Sequence, residues 1–136
     1  MNSSNSPLHW QLPHVICCLY YLVASSDFIV KEEELRVMDH HIDDFLLQHS
    51  PELYSQKNEL VKEVSAYVSG ASELQRMEAV RYFSAKFLLS HDTYFGLIRS
   101  LEEIAQADRY ISIEEHSMMY YIRLKFKVST RQLVNS

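Results

Sequence analysis

Ala24-Ser-Ser-Asp27-Phe-Ile-Val30-Lys-Glu-Glu33-Glu34 is the segment that decides the fold, because its pattern returns 81 positions later as Ala105-Gln-Ala-Asp108-Arg-Tyr-Ile111-Ser-Ile-Glu114-Glu115. In each copy an Asp is followed by an aliphatic residue three positions later and by two adjacent Glu six and seven positions later. A repeat of this kind predicts two equivalent helical hairpins that pack as one pseudo-symmetric unit.

The similarity extends beyond the two loops, into the helices on either side. The first predicted helix has an apolar stripe at helical spacing, and the same stripe returns 81 residues later. Its members are Ile16, Tyr20, Val23 and Ala24 in the first copy and Leu97, Leu101, Ile104 and Ala105 in the second. After the loops, Met38 corresponds to Met119 and Phe45 to Phe126. The repeated unit is therefore a helix, a loop and a second helix.

The remaining pattern predicts an all-α fold, a single-domain bundle of about six helices. The chain has only two Gly and three Pro, and no segment alternates with the period of a strand. We expect a polar tail at 1–12 and one helical domain at 13–136. The predicted helices are 13–26, 32–48, 52–68, 73–89, 93–107 and 113–126. We expect the following end signals: a left-handed Gly70, capping boxes at Ser72 with Gln75 and at Ser112 with Glu115, and an Asp92 cap.

Charge and hydropathy exclude several classes of function. The formal net charge is −5, and no Lys/Arg cluster is long enough to follow a nucleic-acid backbone. The apolar run at 15–24 is shorter than a membrane span, and residues 1–13 contain only His9 among basic residue types, unlike the start of a signal peptide. Its adjacent Cys17 and Cys18 are expected to be buried thiols in a reducing compartment. We therefore expect a cytoplasmic protein with no nucleic-acid partner and no membrane span.

The paired motif resembles that of the TerB-like family of tellurite-resistance proteins, whose helical domains repeat an Ala-Asp-Gly-x-Ile-x-x-x-Glu type of motif. In this resemblance the family Asp corresponds to Asp27 and Asp108, and the aliphatic position to Val30 and Ile111. The acidic positions fall on Glu33, Glu34, Glu114 and Glu115. The resemblance covers most of the chain and implies a helical bundle with suspected divalent-metal or partner binding, associated with stress or tellurite resistance. It implies no enzyme activity.

The family glycine is replaced in both copies, by Phe28 in the first and by Arg109 in the second. A glycine after the Asp permits a positive φ where the chain leaves a helix, and a side chain there costs ~1 kcal/mol. We therefore expect both loops to bend differently from those of the family.

The duplicated carboxylates have two interpretations. As oxygen ligands, Asp27, Glu33, Glu34, Asp108, Glu114 and Glu115 would hold a divalent cation, Ca²⁺ or Mg²⁺ before Zn²⁺. As structural groups they would cap helix starts and accept backbone N–H bonds within the loops. The capping interpretation is favoured, because helix starts commonly recruit acidic residues. A metal site built from both loops requires that the loops meet.

A second polar cluster, at 39–44, contains two His and three Asp. His40 and Asp44 lie four residues apart, a spacing that places two metal ligands on one helix face. A solvated face is the favoured interpretation, since no third ligand follows. Nucleophile and phosphate-binding motifs are absent from the sequence, so we expect no enzyme.

Aromatic residues provide the remaining indication of function. Nine Tyr and six Phe occur in the chain, and several are adjacent pairs whose members point to different sides of a helix. The pairs are Tyr20-Tyr21, Tyr82-Phe83, Tyr94-Phe95 and Tyr120-Tyr121. Exposed members suit a protein partner or a homodimer contact, while buried rings with wet hydroxyls are an equally good interpretation. The sequence predicts a helical interaction module, with a divalent-cation binding protein as the alternative.

Overall fold

The structure is a computed structural model that describes residues 7–107 and 110–135, with only the helical backbone described from residue 127 onwards. The described residues form six α-helices, two short 3₁₀ segments at Pro7–His9 and Pro51–Gln56, and no strand. The helices are α1 (Leu12–Ala24), α2 (Glu32–His49), α3 (Lys57–Gly70), α4 (Glu73–Lys86), α5 (His91–Ala105) and α6 (Ile113–Asn135). The predicted all-α bundle is confirmed.

Helix α1 is the centre of the bundle, because it is apolar on almost every side. Ten of its residues are buried, and the helix packs against all five of the others. Cys17 and Cys18 are buried free thiols, as expected from their place in this run, and burial raises the pKa of both. Helices α1 and α5 also pack against each other. No helix among the described residues has the length and hydropathy needed to cross a membrane.

The expected tail at 1–12 contains one residue that belongs to the core. Trp10 is 3% exposed, stacks against Phe83, and donates its indole N–H to Glu63 Oε2 over 2.8 Å. Residues 1–6 lie outside the described residues.

The buried face of α2 includes a carboxyl side chain. Hydropathy favours burial of Leu35, but this side chain is 41% exposed, whereas the neighbouring Glu34 is completely buried. Glu34, Met38, Ile42 and Leu46 form one buried stripe at intervals of four residues. A carboxylate therefore takes the position that hydropathy assigns to a leucine.

Several predicted helix boundaries are wrong by a few residues. The stretch after Pro51 first forms a 3₁₀ segment, so α3 begins at Lys57. Helix α4 ends at Lys86, after which an irregular connection leaves Leu88 exposed and Leu89 buried. The predicted cap at Asp92 is wrong, because Ser90 Oγ accepts the Thr93 N–H over 3.1 Å. Gly70 is the last residue of α3 and has no positive φ.

Gly96 gives a direct test of the helical assignment of α5. It lies inside the helix, and a Cβ added there meets no atom within 4 Å. We expect Gly96→Ala to raise the free energy of unfolding by about 0.5–1 kcal/mol, because alanine loses less backbone entropy than glycine in a helix. Urea denaturation measures the change. Gly70→Ala, at the end of α3, is the matched control and should gain less. A lower stability of Gly96→Ala would contradict this placement.

Candidate functional site

Loop 1, defined as residues 25–31, joins α1 to α2 through local hydrogen bonds. The hydroxyl groups of Ser25 and Ser26 donate to the carbonyl oxygens of Tyr21 and Val23, at 2.6 and 2.9 Å. Asp27 Oδ1 accepts the Ile29 N–H over 3.0 Å. The Asp27 carboxylate is thus engaged in its own turn, which is the contact that the turn interpretation requires.

Phe28 adopts the left-handed backbone conformation, with φ at 64°. The expectation of a different bend is therefore wrong at this residue, because the chain keeps a conformation that favours glycine and tolerates the side chain. The guanidinium of Arg76 lies 4.2 Å from the centre of the Phe28 ring. A cation–π contact of this kind offsets part of the backbone strain. Arg109, the second replacement, lies outside the described residues.

Arg76 connects loop 1 to the turn between α3 and α4. Only 3% exposed, it donates to the carbonyl oxygens of Ser25, Val68 and Ala71 at 2.7, 2.9 and 3.3 Å. It also donates to Ser25 Oγ over 3.2 Å. Burial lowers the pKa of the guanidinium, with Cys18 acting in the opposite direction. Sequence reasoning missed this residue, because α4 was interpreted by its apolar positions alone.

Glu34 and Glu115 occupy equivalent places at the starts of α2 and α6. Glu34 Oε1 accepts the Lys31 N–H over 3.2 Å, and Glu115 Oε1 accepts the Ser112 N–H over 2.9 Å. Ser112 Oγ in turn accepts the Glu115 N–H over 3.1 Å, so the predicted capping box is present. Each carboxyl group therefore closes the first turn of its helix.

The same two glutamates meet inside the protein. Both side chains are completely buried, and the Glu115 carboxyl is close enough to influence the pKa of Glu34. Neither Oε2 atom receives a hydrogen bond from an N–H or O–H donor in the described part of the chain. Burial, followed by the neighbouring Glu115 carboxyl, raises the pKa of Glu34 to about 8. The two acidic segments thus come together through one member of each Glu pair.

The other candidate ligands are not part of this contact. Glu33 and Glu114 are exposed on the outer side of their helices. Asp27 bonds within its loop, and Asp108 lies outside the described residues. Across residues 7–107 and 110–126, no three His, Cys, Asp or Glu side chains are grouped as a metal site would need. Ca²⁺ and Mg²⁺ each require about six oxygen ligands, so two carboxylates alone are too few.

A groove adjoins loop 1 between α4 and α6, with a cavity volume of about 170 Å³. Phe28 and Ile113 stand at its mouth and are 61% and 80% exposed. Its lining is mostly apolar, and the polar groups include two acidic side chains. The apolar lining residues are Phe28, Met77, Ile113, Met118 and Tyr121, and the polar ones are Ser26, Glu73, Arg76, Glu114 and Ser117.

Three of the four aromatic pairs have one exposed member. Tyr82, Phe95 and Tyr120 are exposed at 36%, 61% and 67%, whereas in the remaining pair Tyr20 is buried and Tyr21 is half-buried. Among the paired aromatic residues, only Tyr121, a member of the fourth pair, lines the groove. The three exposed members of the pairs are therefore spread over the surface outside the groove. The groove is a separate apolar area.

In the second candidate cluster, at 39–44, two carboxylates form ion pairs with a lysine. Lys57 Nζ lies 2.6 Å from Asp39 Oδ1 and 2.6 Å from Asp43 Oδ1. Burial lowers the pKa of Lys57, but the two carboxylates outweigh it and the net shift is upward. His40 Nε2 is 3.3 Å from Asp44 Oδ2, and both side chains are exposed. Asp39 and Asp43 are thus neutralised by a cation of the chain itself.

His41, in the same cluster, takes part in a chain of polar groups between α2 and α5. Its Nδ1 is 3.1 Å from Ser100 Oγ, and its Nε2 is 2.8 Å from Glu103 Oε1. A cavity of about 270 Å³ lies beside these groups, next to Gly96 and Arg99. Sequence reasoning missed this arrangement, because His41 and Ser100 are 59 positions apart.

Comparison with protein-family models, with curated proteins and with solved structures finds no match to this chain.

The hydrogen bonds of Arg76 provide a test of how loop 1 is held. We expect Arg76→Leu to lower the free energy of unfolding by about 3 kcal/mol, because buried carbonyl oxygens of Ser25 and Val68 lose a charged donor. Urea denaturation measures the change. Arg81→Leu is the control, since Arg81 is an exposed arginine of the same helix. Equal effects of the two substitutions would contradict the role given to Arg76.

Proposed function

We propose that this chain is a non-enzymatic, cytoplasmic helical interaction module of the TerB-like kind, linked to stress or tellurite resistance. The groove beside loop 1 is the observation that carries the proposal. It combines apolar walls with two large side chains, Phe28 and Ile113, that are more than half exposed. Exposed apolar side chains around a concave surface are typical of a protein-binding site.

The charges around the groove favour a particular kind of partner. Glu73 and Glu114 are exposed carboxylates at its edge. The guanidinium of Arg76 is occupied by backbone carbonyl oxygens and by the Phe28 ring. We therefore propose that the groove binds a segment of another protein that inserts an aliphatic or aromatic side chain flanked by Lys or Arg. A second copy of this chain is disfavoured, because it would bring its own acidic edge and a net charge of −5.

Peptide selection on the intact protein tests the groove. From a random peptide library displayed on phage, we expect peptides with an apolar residue beside Lys or Arg. Their affinity should fall at least about tenfold in Ile113→Ser and in Phe28→Ala, because a buried anchor side chain loses its pocket. Fluorescence anisotropy of the labelled peptide measures the affinity.

Phe95→Ala is the matched control, since Phe95 has the same 61% exposure as Phe28 but lies outside the groove. Peptides that bind all variants equally would contradict the proposal. Concentration-dependent dimers that disappear in Ile113→Ser, seen by sedimentation, would replace it with a homodimer.

The Ser100–His41–Glu103 chain is assigned a structural role in this proposal. It has the order of a nucleophile, a base and a carboxylate. Ser100 lies in the third turn of α5, however, where backbone N–H groups point along the helix to carbonyl oxygens. The hydroxyl thus lacks an adjacent pair of backbone donors that could stabilise an oxyanion.

A divalent cation is the second candidate, favoured by one observation. The Oε2 atoms of Glu34 and Glu115 are both buried, and neither has a hydrogen-bond donor among the described residues. A cation between them would satisfy both oxygens, and Ca²⁺ or Mg²⁺ suits carboxylates better than Zn²⁺ does. Further ligands would have to come from groups such as Asp108.

Thermal unfolding tests whether the protein binds a divalent cation. If it is right, millimolar CaCl₂ or MgCl₂ raises the melting temperature, because a ligand that binds only the folded state stabilises it. The increase should be absent from Glu34→Gln and reduced in Asp108→Ala. Glu33→Gln, with an exposed neighbouring carboxylate, is the control and should keep it. An unchanged melting temperature of the parent protein with both salts would eliminate this candidate.

A further inference from the structure

We propose that the outward face of α6 docks an amphipathic helix of another protein, which runs antiparallel to α6 and inserts one end into the groove beside loop 1. This partner depends on the proposed function of that groove. Its helical form, its direction and its charge pattern are the new elements.

Helix α6 has apolar side chains on two opposite faces. On the inner face, Ile122 and Phe126 are completely buried in the core. On the outer face, Ile113, Tyr120 and Leu124 are 80%, 67% and 45% exposed, and we call these three residues the outer stripe. Their positions on the helix fall within an arc of about 40° and along about 17 Å. A surface helix ordinarily has one apolar stripe, directed at the core, so a second one indicates a binding surface.

The exposed apolar residues of the other described helices do not form such a line. Helix α2 exposes Leu35 and Leu47, and helix α4 exposes Leu74 and Tyr82. At 3.6 residues per turn, the two members of each pair are rotated from each other by about 120° and about 80°. In α5 the exposed large apolar residue is Phe95. Among the described helices, an extended apolar line on the surface is therefore a property of α6.

The outer stripe begins in the groove beside loop 1. Ile113 belongs to both, while Tyr120 and Leu124 continue the apolar surface beyond the groove. Ser117 lies between them on the same face and is exposed and small, so it leaves room for an inserted side chain. The described residues have no strand edge to which an extended segment could pair, whereas a helix satisfies its own backbone hydrogen bonds. An amphipathic helix of about three turns matches the length of the outer stripe.

The charges along α6 are distributed unequally. Both carboxylates of this helix lie in its first turn, whereas residues 116–136 contain four Lys or Arg and no Asp or Glu. The exposed charged residues that line the groove are Glu73 and Glu114, and Arg123 is exposed next to Leu124. A partner helix with Lys or Arg at its groove end and with Asp or Glu at its other end is complementary to both ends of the outer stripe.

The antiparallel direction follows from the helix dipole. Acidic residues stabilise the first turn of a helix and basic residues stabilise the last turn. A partner with this ordinary distribution places its basic end in the groove only if it runs antiparallel to α6. A second copy of α6 is disfavoured, because the same flanks of both helices meet in a symmetric antiparallel pair. The flank that holds His116 and Arg123 has no carboxylate, so basic residues would face each other.

A phage library of helix-forming peptides of about 14 residues, or four turns, tests the outer stripe on the intact chain. We expect enrichment of one apolar stripe, with Asp or Glu in the first half of the peptide and Lys or Arg in the second. This preference for charge order should disappear in the double variant Glu114→Lys, Arg123→Glu, because each end of the outer stripe then holds charges of both signs. An unchanged charge order, or no enriched helical peptide, would overturn the proposal.

Fluorescence anisotropy of the most enriched peptide separates the outer stripe from the groove. We expect Tyr120→Ser and Leu124→Ser each to weaken binding at least about tenfold, because each substitution removes a buried apolar contact. Leu47→Ser is the matched control, since Leu47 is a 54% exposed leucine of α2. Peptides that need Ile113 but bind Tyr120→Ser and Leu124→Ser unchanged would overturn the docked helix and leave the proposed function of the groove standing. Peptides that are also indifferent to Ile113→Ser would contradict both.

Two measurements identify the other possible occupants. Sedimentation that shows concentration-dependent dimers of the parent, absent from Leu124→Ser, would assign the outer stripe to a second copy. Binding of the parent to phosphatidylserine vesicles, lost in Tyr120→Ser, would assign it to a membrane surface. Either result would overturn the proposal, and a monomer that leaves the vesicles unbound supports it.

Discussion

The structure depends on one constraint, which is the need to remove α1 from water. A helix that is apolar around most of its circumference cannot lie on a surface, so the other helices must enclose it. All five of them pack against α1. The buried thiols of Cys17 and Cys18 and the contact between α1 and α5 follow from this enclosure. Helix α2 buries only one narrow stripe, because it covers α1 from outside.

Enclosing α1 also buries polar groups at its end. Ser25 is nearly inaccessible, and its carbonyl oxygen accepts the Phe28 N–H over 2.7 Å. Arg76 adds a charged donor to this oxygen from α4 and bonds two further carbonyl oxygens at the end of α3. The flat guanidinium also contacts the ring of Phe28, and the backbone conformation of this residue is strained. The groove beside loop 1 is built on this arrangement.

Physical patterns in the sequence predicted where the helices lie better than they predicted how the helices contact one another. The capping box at Ser112 and Glu115, the burial of the first helix and the all-α class follow from local spacing. Errors arose where tertiary packing overrides the local pattern. Leu35 is exposed because the geometry of α2 directs Glu34 inward, and Phe28 keeps a left-handed φ because Arg76 supports its ring. Neither contact is visible in hydropathy or in capping rules.

The sequence by itself determined that the chain is helical, that its first helix is buried, and that acidic residues stand at the starts of α2 and α6. Those properties depend on periodicity and on hydrogen bonds within a few residues, which are encoded locally. Only the tertiary structure decided that one glutamate from each start is buried against the other, while Glu33 and Glu114 stay in solvent. The reason is geometric: Glu34 and Glu115 are 81 positions apart, and their contact exists only because α2 and α6 are both packed around α1.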